Sequence, residues 1–118
     1  LGVDCMLVRD VIPLMSYSQV VMYDKLDEVL YRGMARNVLE DSGLTTLNVV
    51  GLSYHLYPSE FVMVVDNRCG DLHEIELLLS DCMRYSREGC TVNYVAIMHL
   101  ARRVAHIAET NFARMIGR

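Results

Sequence analysis

The C-terminal third of this chain carries the feature that most constrains its fold, a run of apolar residues at positions 92–116. The apolar side chains are nearly consecutive at first and then recur at helical spacing, with no Gly or Pro before Gly117. A helix that is apolar all round is usually buried, so we expect this run to form a helix at the centre of the fold. Residues 109–118 either extend this helix or form one more helix after a bend near Thr110 and Asn111. A buried strand is the alternative for the first part of the run, because a short apolar run does not separate the two.

The residues just before this run predict the end of one helix and the start of the next. Gly89 follows Arg87 and Glu88, and glycine is common where a helix closes in the left-handed conformation. Thr91 then offers a side-chain oxygen to cap the following helix. The sequence therefore predicts a tight turn between two helices at this point.

Helical patterns also precede this turn. Residues 4–12 predict a short helix or helical turn that is kinked or ended at Pro13, because proline interrupts a helix. Residues 18–41 carry apolar side chains at helical spacing and predict a long helix that ends at Gly43. Residues 71–85 begin with Asp-Leu-His-Glu, which has the spacing of a capping box, and they predict a further amphipathic helix.

Residues 44–65 are open to two interpretations. They are rich in β-branched and aromatic side chains, which favour strands. Pro58-Ser59 has the composition of a helix start, with Ser59 as the cap. We prefer short helices here, because a two-stranded ribbon is marginal by itself. The alternative is an α+β fold with a small sheet from residues 45–65.

Composition limits the class of protein. A chain of 118 residues predicts a single domain, residues 1–118, and 53% hydrophobic residues are enough for a substantial core. A net charge of −4 argues against nucleic-acid binding, and no apolar run reaches the roughly 18 residues of a transmembrane helix. We interpret the four cysteines as small apolar residues of an intracellular protein, while the sequence alone leaves disulfides open.

No motif in the sequence indicates catalysis or a cofactor. The chain has no Gly-rich phosphate loop, no G-x-S-x-G and no H-E-x-x-H. His99 and His106 share one helix face, but a zinc site with Cys82 or Cys90 lacks the close ligand pairs of structural zinc sites. We therefore expect neither enzyme activity nor a cofactor. A Cys-His nucleophile pair stays open, because it has no local signature.

Residues 86–97, S-R-E-G-C-T-V-N-Y-V-A-I, resemble the first homology motif of the Bcl-2 family of apoptosis regulators. Residues 87–89 match the basic-acidic-Gly turn of that motif, and residues 92–94 match the Val-Asn-Trp that begins the family's buried central helix. Ile97 matches the isoleucine that follows, and residues 90–91 stand as an insertion.

The resemblance implies an all-α fold, a Bcl-2-like helical bundle around the buried helix. It also implies an apoptosis inhibitor, which holds the amphipathic helix of pro-apoptotic Bcl-2 proteins in a hydrophobic surface groove by helix-in-groove recognition. The short, divergent chain is similar to viral members of the family from a large DNA virus, iridovirus- or poxvirus-like. We then expect a protein of the host-cell cytoplasm, associated with mitochondria through its partners, without a transmembrane anchor and with a homodimer covering exposed core.

The resemblance also implies which residues form the groove. Asn93 is expected to hydrogen-bond the bound helix, and Tyr94 to pack at the start of the buried helix. The partner-binding residues expected in this way are Met63, Leu78, Arg84, Tyr85, Arg87, Asn93, Tyr94 and Ala96.

The departure at Ala96 affects ligand recognition most. In the family, an arginine at this position pairs with an aspartate of the ligand. Here Arg84, Arg87 or Arg103 has to substitute for it, or the pair is absent. We therefore expect a narrow range of ligands.

A second hypothesis belongs to a different functional class. The chain is then an α+β assembly protein, viral or cellular, that dimerises through residues 45–65 as edge strands. An unpaired sheet edge is a template for pairing with another chain, so strands in this region favour this hypothesis over the first.

Overall fold

The computed structural model describes residues 4–89 and 92–117, and its fold is α+β. In chain order the elements are α1 (Val8–Val11), a 3₁₀ segment (Ile12–Met15), β1 (Gln19–Tyr23), β2 (Val29–Met34), a second 3₁₀ segment (Ala35–Glu40), α2 (Ser42–Thr45), β3 (Asn48–Leu56), β4 (Ser59–Asp66), α3 (Leu72–Arg87) and α4 (Tyr94–Met115). The predicted all-α helical bundle is therefore wrong, and the α+β alternative is confirmed.

The strands form one mixed sheet in the order β2-β1-β4-β3. β1 and β2 pair antiparallel, as do β3 and β4, and parallel pairing of β1 with β4 joins the two hairpins. The alternative of a small sheet from residues 45–65 includes β3 and β4 but misses β1 and β2. The edges of the sheet are β2 and β3.

The predicted helix over residues 18–41 is wrong, because a turn divides this segment into two strands. One carboxylate oxygen of Asp24 accepts hydrogen bonds from the backbone N–H groups of Leu26 and Glu28, at 2.8 and 3.0 Å. Asp27 has a left-handed backbone with a φ of 63°, which aspartate tolerates in turns. A helix does not contain such a turn, and the β-branched residues on either side extend as strands.

The preference for short helices over residues 44–65 is also wrong. Phe61 and Met63 of β4 are both fully buried, as expected for alternate residues that point to one face of a sheet. The Tyr57–Pro58 pair, with a cis peptide bond, forms the loop between β3 and β4. Ser59 therefore begins a strand after a hairpin turn and does not cap a helix.

Predictions made from local signals near α3 are confirmed. A helix forms over the predicted residues 71–85, and the carboxylate of Asp71 accepts the backbone N–H of His73 at 2.9 Å. Gly89 has a positive φ of 89°, as predicted for the close of this helix. At the other end of the chain, the predicted first helix is confirmed at Val8–Val11 and continues as the 3₁₀ segment Ile12–Met15.

α4 covers the long apolar run, but it is not buried all round. Its exposed side includes Val95 and His99 in the first turns. The prediction of a central helix surrounded by the others is therefore wrong, and α4 instead packs against its neighbours on one side. The buried residues on that side are Ala96, Ile97, Leu100, Val104 and Ile107.

The core of the described residues lies against one face of the sheet, and it includes residues of the two long helices, of the N-terminal segment and of the two 3₁₀ segments. Val20 and Met22 of β1 belong to the same buried cluster as residues of α3 and α4. Val21 lies between them in the strand and points to the opposite face, where Val62 and Val64 are half-buried. That opposite face carries no part of the buried cluster.

A disulfide between Cys5 and Cys69 joins the N-terminal segment to the loop before α3, with 5.3 Å between the two Cα atoms. The interpretation of the cysteines as small apolar residues fits the buried Cys82 but not this pair, and Cys90 lies outside the described residues. Backbone contacts hold the same segment, since the N–H of Val49 donates to the Met6 carbonyl at 2.7 Å.

We predict that Cys5→Ser lowers the free energy of unfolding of the oxidised protein by about 2–4 kcal/mol, because the disulfide closes a long loop and restricts the unfolded chain. Urea unfolding with and without a thiol reductant measures the difference. The reduced wild-type protein serves as the control, and it is expected to match the variant. Equal stability of oxidised wild type and variant would show that the bond does not form.

Candidate functional site

The described residues contain no group of three or more His, Cys, Asp or Glu side chains that could hold a metal ion. Cys82 is buried, and burial together with the nearby Asp81 carboxylate raises the pKa of its thiol, although the backbone N–H of Tyr54 opposes this by hydrogen-bonding the sulfur. A thiol with a raised pKa is a poor nucleophile at neutral pH. Cys82 is therefore a core residue rather than a candidate for covalent catalysis.

The residues expected to form a groove are spread over separate parts of the fold. Met63 is fully buried in the sheet and belongs to the core. Leu78 is partly exposed on α3, and Tyr94 is partly exposed at the start of α4. Asn93 and Ala96 do come together, in a cleft beside the first turn of α4.

The arginines near the end of α3 are engaged within their own helix or point to solvent. The guanidinium of Arg84 lies 3.4 Å from a carboxylate oxygen of Asp81 and 5.8 Å from the centre of the Tyr85 ring. Arg87 is exposed. Arg103, a further candidate to replace the family's groove arginine, lies 3.6 Å from the Asp10 carboxylate.

The cleft lies between the segment that precedes β1 and the N-terminal turns of α4, and it has a volume of about 300 Å³. This volume is at the lower end of the range for clefts that hold small ligands or side chains. We call it the α4 cleft, and its lining residues are Pro13, Leu14, Met15, Ser16, Tyr17, Ser18, Asn93, Val95, Ala96 and His99.

One asparagine fixes the two walls of the α4 cleft together. The Asn93 side-chain oxygen accepts the N–H of Ala96 at 3.2 Å and so caps α4. Its amide group donates to the hydroxyl of Ser18, just before β1. The predicted cap, Thr91, lies outside the described residues. Asn93 therefore has a structural role at this position, which differs from the hydrogen bond to a bound helix that was expected of it.

Basic side chains lie at or near the α4 cleft, while the Asp10 carboxylate is paired with Arg103 of α4 at 3.6 Å. The Arg36 guanidinium lies 5.7 Å from the centre of the Tyr17 ring on its rim, within the range of a cation–π contact. His99 lines the cleft, and Arg102 follows on the exposed side of α4. None of the described lining residues is acidic. The cleft therefore combines an apolar lining with basic surroundings, a combination that suits an apolar group flanked by carboxylates.

The two edges of the sheet differ in how far they are covered. On β3, Val49 already donates its N–H to Met6, and Gly70 lies so close that an added Cβ would be 2.5 Å from the Val50 Cα. On β2, the described residues include no backbone partner other than β1. The free edge is therefore β2, and Val29 and Leu30 are exposed there.

No protein-family model, curated protein or solved structure matches this chain. Among the residues that the structure describes, no helix is both long and apolar enough to span a bilayer. The resemblance to the Bcl-2 family thus receives no support from comparison, and the function has to be argued from the surfaces of the fold.

We predict that Asn93→Ala lowers the free energy of unfolding by about 1–2 kcal/mol, because it removes both the helix cap and the bond to Ser18. Asn93→Asp is the matched control, since its carboxylate still caps the helix, and it is expected to lose less. Urea unfolding measures both variants. An Asn93→Ala protein as stable as the wild type would contradict this role.

Proposed function

We propose that this protein is a self-assembling interaction module of the α+β class, which associates with a second copy through the free edge strand β2. The observation that carries the proposal is an uncovered sheet edge with exposed apolar side chains at Val29 and Leu30. It retains the assembly hypothesis from the sequence but moves the interface from residues 45–65 to β2.

The backbone of β2 supports this proposal. Its neighbour β1 takes the hydrogen-bonding groups of one side only, so groups that alternate to the other side are available to a strand of another molecule, except the Met34 carbonyl, which already accepts the Tyr31 hydroxyl at 2.8 Å. Proteins that remain monomers usually blunt such edges with proline, charged side chains, bulges or a cover. Val29–Met34 contains no proline and a single charged residue, Arg32, and no described strand pairs with its outer side.

The side chains of β2 support the same mode of association. A register shift opposite Tyr23 leaves Leu30 out of the pairing with β1, and its side chain is 40% exposed. Arg32 is the cation in this strand, and it lies 3.8 Å from the carboxylate of Glu60. Because Glu60 offsets this charge, two copies of β2 meet without an uncompensated pair of like charges.

Sequestration of a pro-apoptotic helix stays a prediction, together with the cytoplasmic and mitochondrial location that accompanied it. It presupposed a groove between the helices of a bundle, and the fold has a sheet in place of that bundle. Met63, one of the expected groove residues, is enclosed in the core. We therefore favour assembly over capture of an apoptotic helix.

The proposal predicts that the wild-type mass rises with concentration up to about 100 μM, and that Leu30→Lys weakens association at least tenfold, since tenfold corresponds to about 1.4 kcal/mol. Analytical ultracentrifugation measures both. The matched control is Leu39→Lys, because Leu39 is similarly exposed at 46% but lies outside the strand.

Hydrogen exchange locates the interface, since the amides of β2 are expected to become protected as concentration rises. A wild-type protein that stays monomeric at about 100 μM contradicts the proposal. It is also contradicted if Leu30→Lys and Leu39→Lys associate equally well.

A further inference from the structure

The turn between β1 and β2, residues 24–28, contains a leucine that is exposed to solvent. We call this turn the hairpin tip. Leu26 is 85% exposed, although its backbone N–H is fixed by the Asp24 carboxylate at 2.8 Å. The same carboxylate binds the N–H of Glu28 at 3.0 Å, so the turn is held from both sides. A fixed turn with an exposed apolar side chain at its tip loses little conformational freedom on docking.

Carboxylates flank this leucine. Asp27 and Glu28 are both exposed beside it. Two cations lie nearby, Lys25 and Arg68, and both contact the carboxylate of Asp66, at 3.5 and 3.7 Å, so their charges are directed toward the sheet. The hairpin tip therefore presents one apolar side chain together with two exposed acids.

The α4 cleft has the complementary chemistry. Pro13, Leu14 and Val95 supply apolar lining. His99 lines the cleft, and Arg102 lies one turn further along the exposed side of the helix. Val95 is itself 63% exposed, so the cleft has apolar surface that the fold leaves uncovered.

The tip and the cleft lie at opposite ends of β1. The cleft wall ends at Ser18, β1 runs from Gln19 to Tyr23, and the hairpin tip follows. A strand of five residues spans about 17 Å. Leu26 therefore does not reach the cleft of its own molecule, but it is available to the cleft of another.

We propose that the hairpin tip of one copy docks into the α4 cleft of the next, with Leu26 as the apolar anchor. Asp27 and Glu28 then face His99 and Arg102 of the neighbour. The inference rests on the proposed function in that it assumes assembly, but it uses surfaces other than the β2 edge. It also deepens the proposed function, because it names a second pair of surfaces through which copies of this protein associate.

A contact between two different surfaces closes into a ring, of two copies or more, if the rotation between neighbours closes, and it gives an open chain if the rotation does not. Together with the β2 edge, it allows growth beyond two copies. Because the charged groups are exposed, added salt is expected to weaken this contact several-fold.

The test uses full-length variants that each remove one partner of the contact. Leu26→Asp disables the tip and leaves the cleft intact, while Val95→Glu disables the cleft and leaves the tip intact. Phe112→Glu is the matched control on α4, since Phe112 is 58% exposed but lies near the other end of the helix. Analytical ultracentrifugation is expected to show at least tenfold weaker growth beyond the dimer for the first two variants only.

Mixing the two disabled proteins tests whether the two surfaces meet each other. Each Leu26→Asp molecule still has a cleft for the tip of a Val95→Glu molecule, so an equimolar mixture is expected to form one tip-to-cleft contact that neither variant forms alone. A mixture no larger than its two components overturns the inference.

Other outcomes separate this inference from the proposed function. If Leu26→Asp and Val95→Glu both assemble like the wild type while Leu30→Lys does not, the inference fails and strand pairing stands. If Leu30→Lys assembles normally and the other two do not, strand pairing fails and the inference stands. A monomeric wild type overturns both.

Discussion

The parallel pairing of β1 with β4 is the interaction on which the rest of the fold depends. It aligns Val20 with Phe61 and Met22 with Met63, and so it joins two hairpins into one sheet. A two-stranded hairpin is marginal alone, whereas a sheet of three or more strands with an apolar face supports a core. The two long helices, the N-terminal segment and the 3₁₀ segments pack into one buried cluster with this joined face. The same pairing makes β1 an inner strand and leaves β2 at the edge.

The sequence predicts the elements that local signals define, and it fails where distant pairing decides. Asp71 and Gly89 mark the ends of α3 through capping and a left-handed backbone, and both signals act over a few residues. The pattern over residues 18–41 looks helical because apolar residues of two short strands fall by chance at helical spacing. The turn residues Asp24 and Asp27 were the visible evidence against a helix. Nothing local indicates that β1 pairs with β4.

The candidate site was predictable only in part. Asn93 and Ala96 were expected at a binding surface, and they line the α4 cleft. Tyr17 on the opposite wall was missed, because the two walls are far apart in sequence, and the Asn93–Ser18 bond joins positions 75 residues apart. The burial of α4 was overestimated from the sequence. An apolar run shows that burying its side chains is favourable, but the fold places neighbouring elements on one side of α4 only, so the other side stays exposed.

The N-terminal segment brings the two described ends of the chain into contact. The Asp4 carboxylate lies 2.7 Å from the Arg114 guanidinium, and its backbone N–H donates to the Asn111 side chain at 2.8 Å. The first and last described parts of the chain are therefore neighbours in space. A short linker between the two described ends would permit circular permutation without crossing the sheet.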